Sequence, residues 1–278
     1  SIIKYDARLA GCDAWMPSVE LGSWGDAPWN RLHQRPIPMW KDYGVKYLDF
    51  KTTEDEDGNI VHSARLPYNC QFTPIVNITD SGEGTFVRIE TDHALLPFNT
   101  QCLYAEYITR NGYQEYESLG WLNGHNLYVI YPKDADITLH SLGFRETGYD
   151  CEFEGSFTSS DDFLNRYWKK AVRTLYVNMR DNYFDCPDRE RAQWWGDVVV
   201  ELGEAGYLFD ERAHLLTRKA ILELMNWQQP NGVIASPVPG WYKSELPCQM
   251  LASVGYYGFQ TYYMLTGDSQ TIADIYPR

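Results

Sequence analysis

The hydrophobic periodicity of the chain changes near Ser156, and this limits the possible folds more than any other feature. Before it, Thr85-Phe86-Val87-Arg88-Ile89-Glu90 alternates with period two, the pattern of a half-buried strand. After it, Leu164, Tyr167, Trp168, Ala171, Val172 and Leu175 recur at helical spacing. One packed layer cannot serve both periods, so a multi-domain β-plus-α chain is expected. The boundary predicted is a β domain over residues 1–155 and a helical domain over 156–278.

The β part reads as several short antiparallel strands, which argues for a β-sandwich. Residues 1 to about 50 hold Trp15, Trp24, Trp29 and Trp40 among prolines, and read as extended chain with short strands. Glu54 to Asn59 is a polar turn. Arg110-Asn111-Gly112 and Asn123-Gly124 each stand between apolar runs, so each predicts a hairpin, because type I′ turns need positive φ at both central residues. Thr91 to Gln101, with Pro97 and Asn99, predicts a loop, and Ile137 to Arg145 a further strand. In the α part, Asp161 and Asp162 suit a helix start. Further helices are predicted over Val198–Leu208, Glu211–Trp227 and Leu251–Leu265, with Gly267-Asp268 closing one helix and opening another.

Between the first two helices lies Asn182 to Tyr207. Within it, residues 185–197 contain Asp185, Asp188, Glu190 and Asp197, with Arg189, Arg191, Trp194 and Trp195. Pro187 and Gly196 preclude one helix through it, so a structured turn is expected. Arg-Glu-Arg between aromatics can be a buried ion-pair cluster that locks a loop. It can also be a sugar site: carboxylates accept bonds from hydroxyls, one acid protonates a leaving oxygen, and indoles cover apolar ring faces. Two arginines do not neutralise four acids in a dry core, which favours a wet, concave setting.

Composition narrows the partners. There are 38 acidic against 24 basic residues, a net charge of −14, which argues against nucleic acid and anionic membrane. Aromatics make up 15% of the chain, with 10 Trp and 21 Tyr, as carbohydrate-active proteins often have, though large cores and interfaces use them too. Cys12, Cys70, Cys102, Cys151, Cys186 and Cys248 are scattered without a Cys/His ligand spacing. Free, buried thiols are expected, with no zinc centre and no cofactor. No apolar run is long enough to span a bilayer.

Asp185-Cys186-Pro187-Asp188-Arg189-Glu190-Arg191, followed by Trp194 or Trp195, Gly196 and Asp197, resembles the signature of bacterial α-L-rhamnosidases of glycoside hydrolase family 78. More broadly it is similar to six-hairpin glycosidases built on an (α/α)6 barrel. Thr109 to Glu117, Arg145 to Tyr149 and Phe157 to Ser160 resemble the preceding β domain and its join to the barrel, and Tyr263 to Asp268 a helix-to-helix turn. The resemblance implies an antiparallel β-sandwich followed by the first helices of an (α/α)6 barrel. It implies Glu190 as general acid, Asp185 and Asp197 as holders of sugar hydroxyls, Arg189 beside the acid, and Trp194 or Trp195 as an aromatic wall. Trp241 and Glu245 are added as candidate contacts from the loop that helps line a barrel mouth.

Inverting chemistry also needs a second carboxylate as base. The resemblance implies that it lies beyond Arg278, so a partial chain is expected, with the remainder of the same polypeptide as partner. Glu201 and Glu204, three apart on one helical face, are weighed as a local base against a surface or salt-bridge role. Three readings follow: a rhamnosidase-like glycosidase, a carbohydrate-binding protein without turnover, and a structural piece with its acids spent in salt bridges. By substrate logic, a secreted or periplasmic location is expected, the alternative being a cytoplasmic enzyme acting on imported oligosaccharides.

Overall fold

The computed structural model describes residues 2–11, 16–28, 30–96, 100–101, 103–240, 245–246 and 248–277. The strands, in order, are β1 (Ile2–Asp6), β2 (Lys41–Leu48), β3 (Phe50–Glu54), β4 (Asn59–Asp80), β5 (Phe86–Thr91), β6 (Leu95–Leu96), β7 (Thr100–Gln101), β8 (Tyr104–Ile108), β9 (Gly112–Glu117), β10 (Leu122–Pro132) and β11 (Ile137–Gly148). All but β6 and β7 join one sheet, ordered β1-β8-β5-β10-β4-β11-β2, with β3 and β9 also on β4. The 22-residue β4 is its spine. Its first half lies between β10 and β3, and its second between β11 and β9. Ala64 and Leu66 from one half and Val76 and Ile78 from the other enter the same apolar cluster, with Phe72, Leu127, Val129 and Phe144. The sheet therefore curls onto itself as one continuous surface. It is mixed rather than wholly antiparallel, because β1 runs parallel to β8.

Neither predicted Asn-Gly hairpin exists. β8 pairs with β1 and β5 while β9 pairs with β4, so Gly112, at φ +86°, turns the chain from one part of the sheet to another. Asn123-Gly124 lies inside β10, beside a register shift between Gly124 and Asn126. A Cβ at Gly124 would come within 2.7 Å of the Thr91 side chain and 2.8 Å of Asp92, so close approach, not turning, requires glycine there. A real hairpin joins β3 to β4 through the Glu54–Asn59 turn, where Asp55 accepts from the amides of Asp57 and Asn59. The loop expected at Thr91–Gln101 carries the short pair β6 and β7, and Pro97 and Asn99 lie outside the described residues.

The helices are α1 (Asp162–Val177), α2 (Trp195–Leu208), α3 (Arg212–Asn226), α4 (Cys248–Ala252), α5 (Thr261–Thr266) and α6 (Ser269–Ile275). A π-helical segment, Ser253–Gln260, joins α4 to α5. Asp161 caps α1 by accepting from the Phe163 amide, and Gly267 at φ +68° ends α5. Asp268 then caps α6 through the Thr271 amide. Val198, Leu202, Leu216, Ile221 and Leu224 pack a second apolar cluster. Polar ties join it to the sheet. Gln71 donates to the Val177 carbonyl at 2.6 Å, and the buried Arg180 donates to Gln71 at 2.6 Å and to Thr147 at 3.0 Å. These bonds hold the end of α1 against β4 and β11, and they fix where the next loop begins.

Candidate active site

The loop between α1 and α2 carries the acids, and the sheet shapes it. Arg180 lies with its guanidinium carbon 3.7 Å from the Trp40 ring centroid and 4.8 Å from that of Trp121. Trp121 in turn stacks on Phe184. Arg191 covers Trp121 at 3.2 Å and donates to the carbonyls of Pro187 at 2.7 Å and Trp121 at 3.1 Å. Asp188 accepts from Asn123 at 3.2 Å and pairs with His93 Nδ1 at 3.1 Å. Asp185 closes the loop on itself: its amide donates to the Ala192 carbonyl, and its carboxylate accepts from the Ala192 amide, both at 3.0 Å. The turn between them has Arg191 at φ +52°, in the left-handed region.

This scaffold leaves Asp185, Glu190 and Asp197 close together. Glu190 has a carboxylate oxygen within 4.8 Å of one of Asp185, and it pairs with Arg189. The neighbouring Asp185 carboxyl is the main cause that raises the Glu190 pKa, with desolvation adding to it and Arg189 opposing it. Asp197, in the first turn of α2, is also raised, by desolvation and then by the Asp185 charge. One turn on, Glu201 is 8% exposed, with a buried, unpartnered Oε2. Burial holds its pKa well above the carboxylate range, and Asp197, Asp185 and Glu204 add to that. Glu204 is raised by desolvation. Asp185, Asp197, Glu201 and Glu204 line an open cleft of about 510 Å³ together with Lys170 and Asn178 of α1 and its C-cap.

The predicted residues therefore divide. Asp185 and Asp197 face the cleft, and Glu190 and Arg189 adjoin it through Asp185. Trp195 is corrected as an aromatic wall. It is 1% exposed, its amide donates to Ser236 Oγ at 3.0 Å, and its ring meets Phe259 edge-on. A Cβ at Gly258 would approach that ring to 2.6 Å, so Trp195 is a core residue. Trp194 is partly buried at the start of α2. Trp241 lies outside the described residues. Sequence reasoning missed Trp121, His93 and Asn123, which hold the loop from the sheet. The one signal for Asn123, its pairing with Gly124, points to a turn.

Among the described residues, two groups of side chains have metal-ligating atoms within 4.8 Å of one another: Asp185, Cys186 and Glu190, and Asp92, His93 and His125. Cys186 is partly exposed, whereas Cys70 and Cys151 are buried free thiols. Burial pushes both of those thiols up to about 12, which makes them unreactive. No described helix is long and apolar enough to cross a membrane.

Chemically, a carboxyl whose proton affinity is raised by a neighbouring carboxylate beside an open acidic cleft is suited to deliver a proton to a leaving oxygen. Comparisons with known proteins bear on the family and the fold. Residues 152–278 match the family model described as the bacterial α-L-rhamnosidase six-hairpin glycosidase domain. Solved structures share the fold over most of the chain. The α-L-rhamnosidase from Dictyoglumus thermophilum has a TM-score of 0.73 and 20% identity, over 99% of this chain and 32% of its own. The family 78 rhamnosidase of Bacillus sp. GL1 has a TM-score of 0.68 and 22% identity, over 82% and 24%. The Streptomyces avermitilis α-L-rhamnosidase, solved with L-rhamnose, has a TM-score of 0.68 and 20% identity, over 89% and 24%. The chain thus spans between 24% and 32% of the length of these structures. Comparison with curated proteins gives no match. By its helical part's family match and by its fold over most of its length, the chain resembles bacterial α-L-rhamnosidases.

Proposed function

We propose that these residues form part of an inverting glycoside hydrolase of the α-L-rhamnosidase type, with Glu190 as general acid. The observation that carries this reading is the approach of the Asp185 and Glu190 carboxyl groups to within 4.8 Å beside an open carboxylate-lined cleft. Asp185 raises the proton affinity of Glu190, and Glu190 gives its proton to the glycosidic oxygen as the bond to the sugar breaks. Arg189 then faces the carboxylate that forms. Asp185 and Asp197 accept bonds from sugar hydroxyls, and Trp194 is the aromatic contact that remains near them. Burial raises the Glu201 pKa, and its buried position leaves little of it exposed to the open cleft. The base of the inverting step is assigned to none of the described residues.

The division at residue 155 and the barrel reading belong to the same proposal. Two separate apolar clusters support the division. Exposed apolar side chains on the helices, among them Tyr167, Val200, Tyr207 and Met264, suit faces that further helical hairpins of a barrel would cover. Export to the periplasm or beyond is proposed from substrate logic alone. The test is hydrolysis of a panel of aryl glycosides, α-L-rhamnoside first, by this chain and by any longer product of the same gene. Glu190→Gln should lower turnover by about 10²- to 10⁴-fold with sugar binding retained. Full activity in that variant would refute Glu190 as the acid, and sugar binding without turnover in every form would favour a carbohydrate-binding protein.

A further inference from the structure

We propose that Asp92, His93 and His125 form a binding site for one divalent transition-metal ion of the zinc class, which ties the acid-bearing loop to the sheet. The three residues come from two places in the chain, the end of β5 and the register shift in β10. Each offers one ligand atom, and all three atoms lie within 4.8 Å of one another. Two imidazoles and a carboxylate are a nitrogen-and-oxygen set that suits zinc, with a fourth position open to water. Metal–ligand bonds of about 2.0–2.1 Å in a tetrahedron put ligand atoms about 3.4 Å apart, so the set needs only a small contraction.

Two of the three ligands are already held. Asp92 accepts from the backbone amides of His125 at 2.8 Å and Asn126 at 2.9 Å, and from the Asn126 side chain at 3.1 Å. His93 is oriented through Nδ1, which faces Asp188 Oδ2 at 3.1 Å and the buried Asn123 at 3.0 Å. A carboxylate on one ring nitrogen is the outer support that metal-bound histidines have, leaving the other nitrogen for the ion. His125 is the more exposed of the two histidines. Its ring centroid is 5.6 Å from that of His93, at 70°, so it supplies the movement that closes the set. Asp188 lies two residues before Glu190. An ion on His93 therefore fixes the Asp188 end of that loop against the sheet. This reading stands whether or not the cleft hydrolyses sugars.

The experiment uses the whole 278-residue chain, stripped with a chelator and titrated with Zn²⁺ by calorimetry at neutral pH. One ion per chain is expected at this site. His125→Ala, which removes only an exposed ring, should weaken it at least tenfold with circular dichroism unchanged. Asp188→Asn should weaken it by roughly 10-fold or more through His93. Cu²⁺ in place of Zn²⁺ should give an electron paramagnetic resonance spectrum with coupling to two imidazole nitrogens. Absence of stoichiometric binding would overturn the proposal. So would binding that His125→Ala leaves unchanged and Cys186→Ser abolishes, which would assign the ion to the Asp185–Cys186–Glu190 group.

Discussion

Arg191 makes the loop's stability open to direct measurement. Its guanidinium donates to the Pro187 and Trp121 carbonyls and covers the Trp121 ring at 3.2 Å. A hydrogen bond from a charged donor contributes about 1.5–3 kcal/mol net, and partial burial favours the lower figure. The cation–π contact adds about 1 kcal/mol. Arg191→Ala should therefore cost about 4 kcal/mol. The backbone supplies an internal control. At φ +52° a residue with a Cβ is strained by about 1–2 kcal/mol, and glycine escapes that strain. Arg191→Gly loses the same side-chain contacts but relieves the strain. After glycine's extra conformational entropy, it should be about 1 kcal/mol more stable than Arg191→Ala. Urea denaturation followed by tryptophan fluorescence measures both, with midpoints compared at equal slope. An Arg191→Ala variant within about 0.5 kcal/mol of the parent would refute the anchoring argument. An alanine variant more stable than the glycine variant would refute the strain argument.

Three further outcomes follow from the geometry. Asp185→Asn keeps an acceptor for the Ala192 amide but removes the carboxylate that raises Glu190, so the alkaline limb of the pH–rate profile should move to lower pH; a limb that stays in place would separate Asp185 from the acid. Glu201 binds its proton more tightly folded than unfolded. Its contribution is thus fully present below the unfolded value of 4.5 and is lost as pH rises toward the raised folded one. Stability should fall by up to about 1.4 kcal/mol per pH unit in that window, and Glu201→Gln should flatten the slope in denaturation curves taken from pH 4 to 8. An unchanged slope would mean that Glu201 is solvated. Gly155 lies where a Cβ would strike the Tyr207 carbonyl oxygen and approach Leu208 Cα to 2.9 Å, backbone against backbone. Gly155→Ala should cost about 2 kcal/mol or more, read as a fall of several degrees in Tm, and an unchanged Tm would show that the segment shifts freely.

How much of this was legible beforehand differs by element, and the difference has a physical cause. The helices could be read because their signals are local. Asp161 caps α1, Gly267 ends α5 and Asp268 starts α6 within a turn of where the residue types point. The same holds for the β3–β4 turn, which Asp55 builds from its own neighbours. Asn111-Gly112 and Asn123-Gly124 look locally like hairpins. A strand's partner is chosen by side chains far along the chain: β4 takes β9 and β10, while β8 pairs with β1 and β5. Trp194 and Trp195 are neighbours of equal chemistry, and only the packing of α2 against Phe259 and Gly258 makes Trp195 a core residue.

For the candidate site, the sequence alone determined which carboxylates stand close along the chain. Asp185, Glu190 and Asp197 fall within 13 residues, so a loop and one helical turn suffice to gather them. Tertiary structure decided their environment. Trp121, Asn123 and His93 lie 60 or more residues upstream, yet they hold the loop's shape, and the closeness of Asp185 to Glu190 depends on that shape. Likewise the Asp92–His93–His125 group has no ligand spacing to read, because the sheet, not the chain order, brings its two parts together. Residue type is written locally, whereas proton affinity and ligand geometry depend on burial and on distant neighbours, which exist only once the chain has folded.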